Sequence, residues 1–386
     1  MDRRTMVPLM FAVILTSGLT MAQEADGPVR VRVFAHYVSW YHQQVPGGHD
    51  HQWNESSLFP VFRGSGAGEG YTSSDPATIR RHNEDFKKYG ITPLASWWGI
   101  DHYAGDQFLD AYLAVPSDVQ IGILYELTGL LKFDSERNVF DMDDPETAAT
   151  FVAHIKHLKE RYFDPYPSRF VKVDGKPVIF LWLSGLMAGD LAAAIVPIRD
   201  DVYLIGSELN PFAPGDRFRD RLPVLRGLDA VSSYGMNFPS FHDGTLSPGF
   251  VGQVLASGLL SAEWLRENAP GVDVILPLSF SANDTGIPER APHSRPFMAT
   301  EQQAGDAADR YRELLAKIYR GCEVPNMPPM INITSYNEIV EGTSVEPTLR
   351  NPDIPQPFPV DIGWTYLNAI GNVLRLPIAE RPIDCR

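Results

Sequence analysis

The sequence predicts an α/β protein built as a (β/α)8 TIM barrel, a single domain with extended βα loops. Three observations lead there. Eight short apolar runs recur along the 386 residues in alternation with helical patterns. The residues just after those runs are rich in aromatics, carboxylates and amides, as expected where a barrel carries its chemistry. The first run leads into aromatics, not the Gly-rich turn that marks an open doubly wound sheet.

Residues 29–38 are β-branched and read as the first strand, with a polar, Gly-rich loop over 42–72 behind them. Ser74-Asp75-Pro76 is a helix start, a capping residue before a proline that needs no amide donor, and Gly90 ends the helix after Tyr89. Strands are expected at 91–96, 121–124, 177–181, 202–205, 230–233, 274–278 and 330–334. Helices are expected at 106–114, 145–161, 186–195, 249–268, 300–320 and 361–374. Phe151, Ile155 and Leu158 recur at helical spacing and read as a core face.

Hydrophobic residues at 44% and charged residues at 21% are ordinary for a globular chain, and one core of this size needs no metal or disulfide staple. The net charge of -15 argues against a nucleic-acid partner. Residues 1–22 read as a signal peptide: Arg3 and Arg4, an apolar stretch from Val7 to Leu19, then Thr20-Met21-Ala22. The apolar stretch is short for a membrane span, so the mature domain, 23–386, is expected to be exported, monomeric and not inserted in a membrane. Cys322 and Cys385 leave two readings open, a disulfide or two thiols.

The ends of successive strands carry Tyr37, Trp40 and Tyr41; Trp97-Trp98; Tyr125-Glu126; Trp182; Glu208 and Asn210; Tyr234 and Asn237; Asn283, Arg290 and Arg295; and Tyr336-Asn337-Glu338. Sugars suit this mixture, because their C–H faces stack on rings while their hydroxyls need many hydrogen-bond partners. Of Trp97 and Trp98, at least one ring should face the mouth, since neighbours on a strand point oppositely. Glu126 has two readings, holding a sugar hydroxyl or pairing with a rim arginine. Glu338 and Glu341 are three residues apart after the last strand. On a helical turn that spacing puts the Cβ atoms about 5–6 Å apart, so both carboxyl groups could reach one bond at the separation of about 5–5.5 Å usual for a retaining glycosidase pair. A glycan-binding barrel without activity, and a metallohydrolase using His36, His42, His49 or His51, are the rival readings. The histidine spacing fits no standard metal site.

The segment from Ile333 through Tyr336-Asn337-Glu338 to Glu341-Gly342-Thr343-Ser344-Val345-Glu346-Pro347 resembles the family 99 glycoside hydrolases, the endo-α-mannosidases and endo-α-mannanases. His36-Tyr37 to Trp40-Tyr41, Trp53-Asn54-Glu55 to Tyr71-Thr72-Ser73-Ser74-Asp75-Pro76 with His82, Ser96-Trp97-Trp98-Gly99, Lys176 to Phe180, Ser233-Tyr234 and Arg290 to Arg295 extend the resemblance over nearly the whole mature chain. It implies retaining endo-cleavage of α-mannosidic bonds in an oligosaccharide or polysaccharide, with no cofactor and no metal. By motif position it makes Glu338 a base on the sugar's 2-hydroxyl and Glu341 the acid/base. Tyr37, Tyr41, Trp97, Trp98, Glu126, Tyr234, Arg295 and Asn337 become substrate-binding residues. One departure stands out: the family usually has Trp-His between the two acids, on the substrate side, where this chain has Ile339-Val340. Family relatives encoded with polysaccharide-assembly enzymes make a bacterial surface glycan an alternative substrate.

Overall fold

The structure, a computed structural model, describes residues 28–41, 58–62, 70–207, 221–233, 248–280, 282–283, 294–295, 300–321, 324–339, 343–350 and 364–380. Residues 1–22, both cysteines, His42, His49 and His51 lie outside the described residues.

Eight parallel strands form one ring: β1 (Arg32–Tyr37), β2 (Ile91–Trp97), β3 (Gly122–Glu126), β4 (Lys176–Trp182), β5 (Tyr203–Gly206), β6 (Ala230–Val231), β7 in two pieces (Asp273–Val274 and Leu276–Leu278) and β8 (Met330–Ile333). Neighbours pair in chain order, and β8 pairs β1 with Ile333 level with Ala35. The ring closes through the divided strand. Its first piece aligns Val274 with Val231 of β6, and its second aligns Leu278 with Ile333 of β8. The break at Ile275 lies beside Pro277, which has no N–H to give to a ladder.

One helix comes after each strand: α1 (Pro76–Tyr89), α2 (Asp106–Ala114), α3 (Pro145–Leu158), α4 (Leu191–Ala194), α5 (Leu222–Leu225), α6 (Pro248–Asn268), α7 (Glu301–Gly321) and α8 (Thr365–Ala369). At the start of α1, Asp75 accepts the Ala77 amide at 3.0 Å, and Gly90 closes the helix at φ 72°, a left-handed conformation that favours glycine. Phe151, Ile155 and Leu158 of α3 are fully buried.

Several elements differ from the sequence expectation, the divided β7 among them. The helix expected over 186–195 shrinks to α4, because Asp190 caps the chain only there and Met187–Ala188 pairs instead with Phe140–Asp141. Helix α3 ends at Leu158 and passes into a π-turn, Lys159–Phe163. Val29–Arg30 leaves the first strand to pair with Pro377–Ala379 near the chain's other end.

Strand alternation sorts the core into two compartments. Phe34, Leu94, Leu124, Val178, Phe180, Tyr203, Ile205, Ala230 and Ile275 fill the barrel interior. Val33, Ala35, Tyr37, Ala95, Trp97, Ile123, Tyr125, Ile179, Leu181, Leu204 and Ile331 belong to the layer between barrel and helices.

Candidate active site

The loop leaving β8 is folded back on itself by its own backbone. The Ser335 amide donates to the Thr343 carbonyl at 2.9 Å, the Thr343 amide to the Glu338 carbonyl at 3.2 Å, and the Glu346 amide to the Tyr336 carbonyl at 2.7 Å. The Ser335 hydroxyl accepts the Glu338 amide at 2.7 Å, and the Ser344 hydroxyl donates to the Tyr336 carbonyl at 2.8 Å. Small hydroxyl residues at 335, 343 and 344 thus satisfy a turn with no regular ladder. Glu338 sits on this turn at the C-terminal end of the barrel, only 4% exposed. Glu341 lies outside the described residues.

Behind the turn is a buried hydrogen-bonded cluster. The Asn337 side chain accepts the Val38 amide at 2.6 Å and donates to the Val38 carbonyl at 2.9 Å and to the Tyr71 hydroxyl at 3.0 Å. Tyr71 donates to Glu346 Oε2 at 2.7 Å, and His82 Nε2 lies 3.1 Å from Glu346 Oε1. His82 Nδ1 meets the Tyr37 hydroxyl at 2.8 Å. The Tyr41 hydroxyl donates to the Asn337 carbonyl at 3.0 Å and accepts the Ile339 amide at 3.2 Å. Burial is the main reason that the Tyr37 and Tyr71 hydroxyls have pKa values well above the usual tyrosine value. Both therefore remain protonated donors. Alongside, the Tyr336 hydroxyl donates to Asp85 at 3.1 Å, and Asp85 is held by Arg81 at 2.6 Å.

This geometry revises the role of three expected sugar contacts. Tyr37 and Trp97 are fully buried and point outward from the strands, into the helix layer. Trp97 donates its indole N–H to Asp106 at 3.0 Å, and that carboxylate also meets His157 at 2.8 Å. Asn337 is fully buried, with both N–H groups and its oxygen engaged by protein, and it holds the loop. Ile339 is likewise in the core, 0% exposed. Tyr41 is 1% exposed and braces the same loop.

Trp98 parts from its neighbour at the rim. Its ring lies 5.7 Å from Trp40, edge to face, and 6.1 Å from His102, nearly parallel. Its buried indole nitrogen has no hydrogen-bond partner. The loop behind it is closed so tightly that a Cβ on Gly105 would fall 2.1 Å from the Gly99 carbonyl oxygen. Glu126 ends β3 on the inward side, level with Trp182 on β4, and is 3% exposed. Tyr234 lies outside the described residues. Of Arg295 only the backbone is placed, in a short antiparallel pair with Ala282.

Four more residues line the upper barrel, and their place at strand ends did not single them out as sugar-binding. His36 comes two residues after Phe34 on the inward face and stands edge-on to Phe180 at 4.5 Å and to Trp182 at 6.4 Å. Burial lowers its pKa to about 3, a contact with Asn332 opposing this only in part. Ser207 and Ser232 continue the inward faces of β5 and β6, with buried hydroxyls that have no partner. Period-two counting from Phe34, Ile205 and Ala230 points to three of these positions, and counting from Phe180 points to Trp182.

Fold and site together define an eight-stranded α/β barrel with an acidic, aromatic mouth. No protein-family model matches the sequence, and neither does any curated protein. Among solved structures the chain is similar to the GH99 endo-α-mannosidase of Bacteroides thetaiotaomicron. In complex with bis-tris-propane that structure matches with a TM-score of 0.60 and 18% identity, over 88% of this chain and 95% of that one. A second structure of that enzyme gives a TM-score of 0.58 at 18% identity, covering 88% and 96% of the two chains. A glycoside hydrolase-like protein gives 0.60 at 17% identity, covering 92% and 95%. The chain shares their barrel fold along nearly its full length.

Proposed function

We propose that this protein is a glycoside hydrolase, a retaining endo-acting enzyme for α-mannosidic or related linkages, with Glu338 and Glu341 as its carboxylates. The observation that carries this reading is Glu338 itself: an acid at the C-terminal end of the last barrel strand, on a turn whose backbone is pinned at 335, 336, 338 and 343. The shared fold with an endo-α-mannosidase supports the same reading.

In the proposed reaction Glu338 takes the proton of the 2-hydroxyl of the sugar at the scissile bond. The freed oxygen attacks the anomeric carbon while the bond to the leaving oxygen breaks, and Glu341 protonates that oxygen. Glu341 then takes a proton from water, whose oxygen opens the epoxide-like ring at the anomeric carbon. The proton on Glu338 returns to the 2-oxygen. Two inversions give net retention. Trp98 supplies an apolar rim and Glu126 a hydroxyl acceptor, with Tyr234 and Arg295 as further sugar contacts. The signal read in residues 1–22 supports a glycan met after export.

The test is incubation with α-mannan and analysis of released oligosaccharides. Glu338→Gln and Glu341→Gln are each expected to lose on the order of 10³-fold or more in turnover with unchanged circular dichroism. Wild-type release by either variant would remove that residue from the mechanism. Binding without any release by the unaltered protein would favour a glycan-binding barrel.

A further inference from the structure

We propose that the buried hydrogen-bond chain from Asn337 through Tyr71 and Glu346 to His82 and Tyr37 is a positioning device for Glu338. In this view Tyr71, Glu346 and His82 govern turnover without touching the glycan. The proposal rests on the reading of Glu338 as a catalytic carboxylate.

The chain starts one residue before Glu338 and draws on four separated segments: the end of β1, the first loop, α1 and the loop after β8. Its bonds converge on Glu346 from two sides. Asn337 has two amide hydrogens, one given to the Val38 carbonyl and one to the Tyr71 oxygen. Tyr71, kept protonated, passes its own hydrogen to Glu346. On the other side the Glu346 carboxylate can only accept, so His82 presents its Nε2 hydrogen there, and Nδ1 is left to accept the Tyr37 hydrogen. Both carboxylate oxygens therefore accept, and every donor direction is set by that one acceptor.

Glu346 is 2% exposed, and a buried acid gives little net stability compared with an apolar residue of its size. Its contribution is direction. Its amide also holds the Tyr336 carbonyl, and the Val345 amide holds both the Ser335 and Tyr336 carbonyls at 2.9 and 3.0 Å. The acid is thus tied through backbone and side chain to the turn that carries Glu338. Displacing a reacting group by about 1 Å can cost on the order of 10²-fold in rate.

Glu346→Gln tests this with almost no change of shape. Its amide must present N–H₂ to either Tyr71 or His82, both of which already donate there. One of them must turn its hydrogen away from residue 346, and a turned Tyr71 gives up its donation there and disturbs the oxygen that Asn337 is bonded to. Steady-state kinetics on a cleaved α-mannan should show kcat down about 30- to 100-fold in Glu346→Gln and about 10-fold in Tyr71→Phe, with KM within about threefold. Hydrogen exchange by mass spectrometry should show residues 335–346 exchanging at least about 10-fold faster in both variants, with β2, β3 and α3 unchanged. That second readout does not depend on any substrate. Tyr71→Phe removes a single oxygen and serves if Glu346→Gln does not fold. Unchanged exchange of 335–346 in a folded variant would overturn the proposal while leaving the hydrolase reading intact, and so would wild-type kcat. Activity retained by Glu338→Gln would instead overturn the assignment of the acid, and this proposal with it.

Discussion

Two rows of side chains leave the same strand ends and meet opposite fates. The outward row, Tyr37, Trp97 and Tyr125, is buried against the helices with its polar atoms paired to His82, Asp106 and His154. The inward row, His36, Glu126, Ser207 and Ser232, looks into the barrel mouth above Phe34, Leu124, Ile205 and Ala230. Outward polar atoms are saturated by protein, whereas the two inward serines have hydroxyls without a partner. The contrast teaches that aromatic content at strand ends is by itself a poor guide to sugar contacts. A ring one residue along the strand changes from the barrel mouth to the helix layer.

Four measurements would break or sharpen that contrast. The largest effect is expected from the tryptophan pair. Trp97→Ala should lose about 3–5 kcal/mol of stability, from a large cavity and a buried Asp106 short of a donor. Trp98→Phe should stay within about 0.5 kcal/mol, because its indole N–H has no partner to lose. Chemical denaturation compares them, and equal losses would dissolve the distinction between the two faces.

Next is the pH dependence contributed by His36. Its folded pKa of about 3 lies below the unfolded value of about 6.5. The unfolded chain therefore binds more protons between these values. The contribution is fully present above about pH 6.5 and fades as pH falls towards 3, at up to about 1.4 kcal/mol per pH unit. His36→Gln should flatten the stability profile from pH 6.5 to 4.5; an unchanged slope would place His36 in contact with water.

Tyr336→Phe, which leaves the buried Asp85 one donor short, should cost about 1–3 kcal/mol. A cost near zero would mean that water replaces the hydroxyl, contrary to a dry outward layer. The smallest effects belong to the mouth: Ser207→Ala and Ser232→Ala should change stability by less than about 1 kcal/mol, in either direction, while weakening glycan binding. Isothermal titration with the oligosaccharide products of α-mannan digestion separates the two readouts.

Much of the barrel was legible because its signals are local. Asp75-Pro76 and Gly90 bracket α1 within a few residues, and eight apolar runs with intervening helical periods announce the ring. The element at 186–195 reads as a longer helix than it is because its apolar residues suit one, while the pairing of Met187–Ala188 with Phe140–Asp141 is not a local property. At the site, Glu338 was visible as an acid after the last strand. Asn337 was not visible as its clamp, since nothing in the motif says whether an amide faces sugar or protein.

The sequence by itself determined the alternation of strands and helices, the caps, and which residue types crowd the strand ends, all set by neighbours a few positions apart. The face taken by each side chain was set instead by closure of the barrel. The folded chain also joins Tyr71 to Glu346 and Tyr37 to His82, 275 and 45 residues apart in the chain. The physical reason is closure. When β8 meets β1, the ring gives every strand an inside and an outside. Polar groups on the outside then have to find partners across the chain or remain buried without one.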